Sequence, residues 1–430
     1  MRKFLIIQMI ALAVFASPSV VQAQQEDDEE LYEAFDPNAA KLVFARPQPI
    51  EIERTNLRTM SREKIKVEPF DFQKKLGLEI YMFRIGQADS MLVVGPAPER
   101  RTLLIDLGVS KDGRFAAKDS AEHVGQRIVD ITGKTHIDYF LLSHFHQDHF
   151  GTGRRGVTKL MAHSDFTFGT VIDTGDLGSN WVKRSQGATE YLERVRGWSG
   201  SAKIAKHSVA EFGDQQIDLG GEVKVDIVTL AGKIGPDDEG VHARYDRRRP
   251  GHYRRNPASE NDLSIGVEIS LGDFEFWTGG DLSGADGQGT DPTSGSGYTN
   301  VEYPLMQAWR QKRRESDVEI YRANHHGSRY SSSRDFLNML DPEFILASAE
   351  VGHHHPSKSM VRRGAATAKL LATDVDPETW TPDTFAVAGG QVVGEIRIFV
   401  EPDGKSYELD GKTYRSFTDA EEAEEKDQSE

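Results

Sequence analysis

A dense group of side chains able to bind metal occurs at residues 144–151, which read His-Phe-His-Gln-Asp-His-Phe-Gly. In a site without cysteine, imidazole and carboxylate groups are the ligands that first-row metals use, and Zn²⁺ is the ion most often bound this way. In extended backbone, His144 and His146 project to the same side and can share one ion. Asp148 and His149 follow where the chain turns, and they can face a second ion. The segment therefore predicts a site for two metal ions.

A buried β-strand must deliver this segment, because the apolar run 137–142 directly precedes it. Strand-like patterns are also present at 78–83, 90–94 and 102–106, and a helix is predicted over 121–132. Further along, strands are predicted at 223–228, 274–281 and 344–348, with a helix over 335–340. Strands followed by helices predict an α/β fold whose loops carry the chemistry.

The composition is that of a soluble globular protein with 430 residues, enough for one large domain or two medium ones. The net charge of −16 disfavours nonspecific binding of nucleic acid or anionic membranes by the surface as a whole. The absence of cysteine excludes disulfides and thiolate ligands, so any metal site must be built from His, Asp and Glu.

The amino terminus predicts a secretory signal peptide, with cleavage expected after Ala23. Arg2 and Lys3 precede a mostly apolar run from Phe4 to Ala16, which is too short to span a bilayer of about 30 Å. The protein is therefore expected to be periplasmic or secreted, with no stable membrane insertion after cleavage. Residues 24–77 are predicted to form an extended, partly disordered leader, and the charged residues 418–430 a solvated tail.

Several separated motifs carry a resemblance to one family. His-x-His-x-Asp-His after an apolar strand resembles the signature of metallo-β-lactamase-fold hydrolases. Gly-Gln-Ala-Asp-Ser at 86–90, Ile-Asp-Leu-Gly at 105–108 and Asn-His-His-Gly-Ser at 324–328 resemble the hydrolase domain of competence proteins of the DNA-uptake type. The resemblance implies an αββα sandwich over residues 78–405, followed by a C-terminal extension and acidic tail over 406–430.

The same resemblance implies how the remaining ligands are supplied. Asp281, which ends the run Thr-Gly-Gly-Asp, would bridge the two ions, and His326 would complete the ligand set. If the backbone is extended there, the neighbouring His325 points elsewhere and contacts substrate or the leaving group; the roles of the two histidines could be exchanged. Many relatives supply a third histidine to the first ion, but His163, His207, His242 and His252 lie in no matching context. Asn261 occupies that place, so Asn261 or water would complete the first site.

The chemistry expected of such a site is hydrolysis by a metal-activated water. One or two Zn²⁺ ions, with Mn²⁺ as the alternative, would lower the pKa of bound water and polarise the scissile group. Asp148 would bind metal and orient the attacking hydroxide, and either metal-bound water or His325 would protonate the leaving group.

Arginine-rich segments adjoin three of the motifs and point to an anionic substrate. Arg247, Arg248 and Arg249 precede Asn261, Arg154 and Arg155 follow the first motif, and Arg329 follows Ser328. Guanidinium groups bind phosphate oxygens well. His353 and His355 form a histidine–proline element that the resemblance places beside the active site. A phosphodiester or other phosphate-containing substrate, with nucleic acid among the candidates, is therefore expected.

Two other functions remain open, and a third is disfavoured. A lactonase or other ester hydrolase of the same fold, or a noncatalytic module that binds nucleic acid or a partner protein, would also fit these motifs. The absence of cysteine and of a third histidine argues against β-lactam hydrolysis.

Overall fold

A computed structural model describes ten ranges of the chain: residues 50–56, 61–67, 77–110, 120–152, 155–176, 186–237, 259–284, 301–312, 317–350 and 353–416. Its contacts divide the chain into two compact units, Met1–Phe70 and Asp71–Glu430. In the first unit, strands β1 (Ile50–Asn56) and β2 (Ser61–Val67) form an antiparallel hairpin. Both strands lie within residues 24–77, the segment predicted to be an extended, partly disordered leader.

The second unit contains two large sheets and eight α-helices in its described part. The strands are β3 (Leu78–Met82), β4 (Met91–Val94), β5 (Thr102–Ile105), β6 (His136–Leu141), β7 (Gly151–Thr152), β8 (Arg155–Gly156), β9 (Thr167–Asp173), β10 (Ile204–Val209), β11 (Lys224–Leu230), β12 (Lys233–Ile234), β13 (Gly266–Leu271), β14 (Phe274–Thr278), β15 (Ile320–Arg322), β16 (Phe344–Ala347), β17 (Lys369–Ala372), β18 (Gly390–Val392), β19 (Ile396–Val400), β20 (Ser406–Leu409) and β21 (Lys412–Arg415). The helices are α1 (Ser120–Thr132), α2 (Gln147–Phe150), α3 (Val157–Ala162), α4 (Gln186–Trp198), α5 (Glu302–Lys312), α6 (Arg334–Leu340), α7 (Lys358–Gly364) and α8 (Pro382–Val387).

The nine-stranded sheet has the order β10-β9-β6-β5-β4-β3-β19-β20-β21, and the eight-stranded sheet has the order β12-β11-β13-β14-β15-β16-β17-β18. In each sheet a parallel half that uses helical crossovers adjoins an antiparallel half. Strands β5, β6, β9 and β10 are parallel in the first sheet, and β14 to β18 are parallel in the second. Neighbouring parallel strands end at the same edge, so the loops after β5 and β6, and those after β14, β15 and β16, gather side chains from distant parts of the chain.

Three hydrophobic cores establish the order of the layers. Strand β4 illustrates how one sheet borders two cores, because its side chains alternate between the two faces of the sheet. Met91 and Val93 pack in the core between the two sheets, whereas Leu92 and Val94 pack against a core that includes residues of α1, α3 and α4. A third core lies between the second sheet and helices α5, α6, α7 and α8. The result is a helix–sheet–sheet–helix sandwich, which confirms the predicted fold class.

The predicted elements agree closely with the observed ones, except at the C-terminal boundary. Strands β20 and β21 lie beyond residue 405, where the domain was expected to end, and they extend the nine-stranded sheet. No helix in the described ranges is long and apolar enough to cross a membrane. The signal peptide at 1–23 and the tail at 418–430 lie outside the described residues.

Candidate metal centre

The centre is assembled at the edge where the parallel strands of both sheets end. From the first sheet, Asp106 follows β5 and the His144–His149 segment follows β6. From the second sheet, Asp281 follows β14 and the Asn324–Gly327 turn follows β15. The loops must approach one another closely for this to happen. A Cβ atom on Gly108 would lie 1.7 Å from the carbonyl oxygen of Asp148, so only glycine allows the loop after β5 to pack against the metal-binding motif.

Asp281 lies at the middle of the centre, and its two carboxylate oxygens face different sets of nitrogens. On one side, His144 Nε2 is 3.8 Å from Oδ2 and His325 Nε2 is 3.7 Å from the same oxygen. His146 joins this set, since its Nδ1 lies 3.0 Å from His144 Nε2. Two imidazoles and one carboxylate oxygen therefore converge on the first position, and the His325 ring faces the same oxygen of Asp281.

The second set surrounds the other oxygen of Asp281. His149 Nε2 lies 3.1 Å from Oδ1, and His326 Nε2 lies 3.7 Å from it. The carboxylate of Asp148 is also close, with Oδ2 3.5 Å from His326 Nε2. Two imidazoles and one oxygen of Asp281 therefore converge on the second position, with Asp148 beside His326, and Asp281 is common to both positions.

The opposite ring nitrogens are occupied, which determines which nitrogen is free to bind metal. His149 Nδ1 lies 2.7 Å from Asp106 Oδ2, and His326 Nδ1 lies 3.0 Å from the carbonyl oxygen of Ser348. In the neutral, metal-binding form of both rings the proton therefore belongs on Nδ1, and Nε2 faces Asp281. Histidine ligands of metals are commonly oriented by such a hydrogen bond behind the ring.

Asp89 is near both of these histidines but lies behind them. Its carboxylate oxygens are 3.6 Å from His149 Nδ1 and 3.4 Å from His326 Nδ1, the nitrogens that face away from Asp281. It also forms a buried ion pair with Arg322, whose Nη1 donates a hydrogen bond to the carbonyl oxygen of Gly280. Although Asp89 is close enough to be grouped with the ligands, we place it in the layer that supports them.

The centre also contains buried polar atoms without hydrogen-bond partners. His149 Nε2, His326 Nε2 and both carboxylate oxygens of Asp281 are inaccessible to solvent and accept or donate no hydrogen bond. Leaving buried polar atoms unpaired is costly, so most are satisfied in native proteins. Lone pairs of nitrogen and oxygen that converge within a few ångströms fit a divalent cation, and the residues present therefore suit the implied metal.

The electrostatics of the centre favour the ligand forms of most of these groups. Burial lowers the pKa of His144 well below its ordinary value, and burial lowers the pKa of His325 to about 4, so both rings are neutral near pH 7. Burial alone would raise the pKa of Asp281, but His149, His325 and His326 outweigh it and hold that pKa well below its usual range.

His149 is the exception. Burial would lower its pKa, but the carboxylates of Asp281 and Asp106 raise it well above the ordinary value. A metal ion and a proton compete for the same nitrogen, so metal binding releases protons and weakens as the pH falls.

The expectation of extended backbone at His325 and His326 is wrong. Both residues have left-handed backbone, with φ of 52° and 54°, inside a short 3-10 turn from Asn324 to Gly327. This conformation costs about 1–2 kcal/mol for each residue other than glycine. In the turn, the amide of His325 donates to the carbonyl oxygen of Gly280 at 3.0 Å. Both rings consequently face Asp281, one towards each oxygen, so the two histidines are not exchangeable alternatives.

The other histidines considered for the first ion do not reach the centre in the described structure. His207 pairs with Asp173 at 3.0 Å, and His163 is exposed. His242 and His252 lie outside the described residues. His325 lies on the side of the centre that faces the first position, with its Nε2 3.7 Å from Asp281 Oδ2. Asn261 lies beside it, with Nδ2 3.3 Å from the His325 ring nitrogens.

The predicted substrate-binding residues are only partly described. The His355 ring lies 5.7 Å from that of His325 and 6.2 Å from that of His326, and its buried Nδ1 has no hydrogen-bond partner. The exposed His353 stacks on His355 at 6.1 Å. The histidine–proline element therefore lies next to the metal centre. Arg247, Arg248, Arg249 and Arg154 lie outside the described residues.

Three supporting carboxylates were not recognised as functional from the sequence. Asp89 and Asp106 occur in motifs that were noted only for the resemblance, and Glu260 accepts a hydrogen bond from the amide of Phe145 at 3.2 Å. The available signal was a carboxylate at the end of a strand, as in Ile-Asp-Leu-Gly. Local sequence cannot show that such a carboxylate will meet a histidine 43 positions further along the chain.

No protein-family model and no curated protein sequence matches this chain. Among solved structures, the chain is similar to CmlA, a diiron β-hydroxylase from Streptomyces venezuelae, with 12% identity over 78% of this chain and a TM-score of 0.35. The match spans about half of CmlA, 54% of its length.

It is also similar to MEM-A1, a subclass B3 metallo-β-lactamase from a soil metagenome library, with 15% identity, a TM-score of 0.29, and coverage of 60% of this chain and 84% of that one. For unliganded yeast PDE1 the identity is 10%, the TM-score is 0.35, and coverage is 76% of this chain and 100% of that one. These values are too low to support an inference about activity. The functional argument therefore depends on the geometry of the centre.

Proposed function

We propose that this protein is an exported, metal-dependent hydrolase of the metallo-β-lactamase superfamily that acts on phosphodiesters or other phosphate-containing substrates. One observation carries the proposal: nitrogen and oxygen atoms converge on both sides of the buried, unpaired carboxylate of Asp281. Carboxylate and imidazole donors of this kind bind Zn²⁺ and Mn²⁺ alike. The superfamily itself is proposed from the motifs together with the four-layer sandwich.

The distances described above support the following assignment of ligands. His144, His146 and His325 would hold the first ion, and Asp148, His149 and His326 the second, with Asp281 shared. Divalent cations held there supply a hydroxide nucleophile near neutral pH and stabilise the oxygen that gains negative charge. Because Asp281 is ionised and its neighbours His144 and His325 are neutral, the protein is prepared to bind cations without first losing protons at these three residues.

The remaining residues act on the substrate. Asp148 has about a quarter of its side chain exposed, with 26% relative accessibility, so it can accept a hydrogen bond from the attacking water and orient it. Asn261 can donate a hydrogen bond to a substrate oxygen. His325 was expected to act as a proton donor, but its Nε2 faces Asp281, which favours a role as a metal ligand. His355 then replaces His325 as the candidate for contact with the substrate.

The proposal of a phosphate-containing substrate combines two arguments. The ligand set includes two carboxylates, so the centre would attract an anion only when it is loaded with cations. The arginines near the motifs would add positive charge around the site in a protein whose net charge is −16. Guanidinium groups bind phosphate oxygens in a bidentate manner, and nucleic acid is one substrate that would fit.

An activity panel on the purified protein tests the proposal. After loading with Zn²⁺ or Mn²⁺, the protein should hydrolyse bis(p-nitrophenyl) phosphate, and a chelator should abolish this activity until metal is restored. Hydrolysis of a lactone without hydrolysis of the phosphodiester would instead identify an ester hydrolase. Metal binding without turnover of phosphodiester, lactone or β-lactam would overturn the enzymatic proposal in favour of a binding module.

Export has a separate test. Amino-terminal sequencing of protein recovered from the periplasm or the medium should begin at Gln24. Protein that retains residues 1–23 would contradict the predicted cleavage.

A further inference from the structure

The turn that carries His325 and His326 is held in an unfavourable conformation. His325, His326 and Ser332 all have left-handed backbone, with φ of 52°, 54° and 53°. Three such residues within one short segment, none of them glycine, persist only where the surroundings hold them in place. The contacts around the segment from Asn324 to Ser333 therefore determine where the two imidazoles lie.

Glu302, the first residue of α5, forms the central contact with this segment. Its Oε1 accepts hydrogen bonds from Asn324 Nδ2 at 3.0 Å and from the amide of Ser332 at 2.6 Å. Its Oε2 accepts a hydrogen bond from the amide of Ser333 at 2.8 Å. One carboxylate thus holds the side chain just before His325 and the backbone at the other end of the segment.

Other buried groups also hold the Asn324–Ser333 segment in place. The hydroxyl of Tyr321 accepts a hydrogen bond from the amide of Asn324 and contacts the hydroxyl of Ser332, both at 2.8 Å. Arg363 donates to the carbonyl oxygens of Ser331 and Ser332. Within this network, only Glu302 reaches the donors of both Asn324 and Ser333.

We propose that Glu302 is a positioning residue for the metal centre, which holds the Asn324–Ser333 segment so that His325 reaches the first metal position. This inference rests on the proposed metal centre, but it concerns a residue that cannot contact substrate. Glu302 is fully buried, and a Cβ atom on Gly284 would lie 1.9 Å from its Oε2, so no space remains for a ligand.

The position of the His325 ring should depend on these contacts more than the position of the His326 ring does. The His326 ring has its own anchor, the hydrogen bond of Nδ1 to the carbonyl oxygen of Ser348 at 3.0 Å. His325 instead follows directly after Asn324, the residue whose side chain Glu302 holds, and its ring lies beside Asn261, with Nδ2 3.3 Å from both ring nitrogens. Loosening the segment should therefore displace His325 first and weaken the first metal position more than the second.

The substitution Glu302→Gln tests this directly. An amide has one acceptor oxygen, so its NH₂ group must face either the Ser333 amide or the donors of Ser332 and Asn324. At least one hydrogen bond is lost in either orientation, while the side-chain volume is unchanged. Asn324→Ala is a second, milder variant, because it removes one hydrogen bond and leaves both backbone amides capped.

Binding of Co²⁺ to the full-length protein, followed by calorimetry and by its visible absorption spectrum, provides a readout that does not depend on activity. Wild type should bind two ions. In Glu302→Gln we expect the ion at the first position to bind about tenfold less tightly, as typically follows from the loss of groups that support a ligand. The absorption of that ion should also change, with a smaller effect in the same direction for Asn324→Ala.

Glu79→Gln is the matched control, because Glu79 is also a buried glutamate but pairs with Arg100 at 2.7 Å in the first sheet. It should lose thermal stability and keep wild-type Co²⁺ binding and spectrum. Two ions bound by Glu302→Gln with wild-type affinity and spectrum would overturn the inference. The inference would also be overturned if Glu302→Gln and Glu79→Gln each weakened the binding of both ions to the same extent. Glu302 would then contribute only to general stability. Wild-type protein that binds both ions but has no hydrolytic activity would refute the proposed function and leave this inference standing.

Discussion

Asp106→Asn should reverse the orientation of the proton on His149 and so weaken the second metal position. Asp106 accepts hydrogen bonds from the amide of Ser143 at 2.8 Å through Oδ1, and from the hydroxyl of Ser143 at 2.7 Å through Oδ2. The same Oδ2 lies 2.7 Å from His149 Nδ1. Asparagine can keep its oxygen towards the Ser143 amide, and its NH₂ group then faces His149 Nδ1.

An NH₂ group at this place makes His149 Nδ1 an acceptor and moves the ring proton to Nε2. That nitrogen lies 3.1 Å from Asp281 Oδ1, so the proton would form a hydrogen bond there and block metal binding. Loss of a hydrogen bond behind a ligating histidine typically lowers metal affinity about 10–100-fold. This corresponds to about 1.4–2.8 kcal/mol of binding free energy.

The assay is a competition titration of Zn²⁺ between the protein and a chromophoric chelator at fixed pH. Asp138→Asn is the control, because the Asp138 carboxylate accepts hydrogen bonds from the amide and hydroxyl of Thr102 at 2.9 and 3.0 Å and faces His136 at the start of β6, rather than a residue of the centre, in the described structure. The control should retain wild-type affinity. Equal affinities for Asp106→Asn and wild type would refute the assigned orientation of His149 and the second metal position built on it.

Three further predictions address catalysis, pH dependence and substrate charge. His146→Ala and Asp148→Ala should abolish turnover while circular dichroism stays unchanged, and retained activity would contradict the metal mechanism. Burial raises the pKa of Glu319 to about 9 from an ordinary value of 4.5, so its contribution to folding stability is complete below about pH 4.5 and is lost as the pH rises to 9. Glu319→Gln should therefore flatten the decline of unfolding free energy with pH and should be more stable than wild type at pH 8, measured by urea denaturation; a wild-type pH profile would contradict the raised pKa of Glu319. Replacing Arg247, Arg248 and Arg249 with glutamine should raise KM for a polyanionic substrate and reduce the salt dependence of KM. If neither value changes, these arginines do not bind the substrate.

Much of the fold could be predicted because it is encoded locally. The strand before the motif was predicted at 137–142 and is found at His136–Leu141, and the first helix was predicted at 121–132 and is found at Ser120–Thr132. Alternation of side chains in strands and helical periodicity depend only on near neighbours. The hairpin of β1 and β2 was missed because its strands alternate charged with apolar side chains within a highly polar leader.

The sequence by itself determined the chemical character of the centre. Four ligand-type side chains within six residues, in a chain without cysteine, restrict any metal site to imidazole and carboxylate donors whatever the fold. Tertiary structure alone decided how these donors are divided between two positions. The left-handed turn at His325 and His326 is unfavourable locally and exists because distant groups, including Glu302, Arg363 and Gly280, hold it. For the same reason Asp106 meets His149 only when two parallel strands end at one edge, a contact that no local pattern contains.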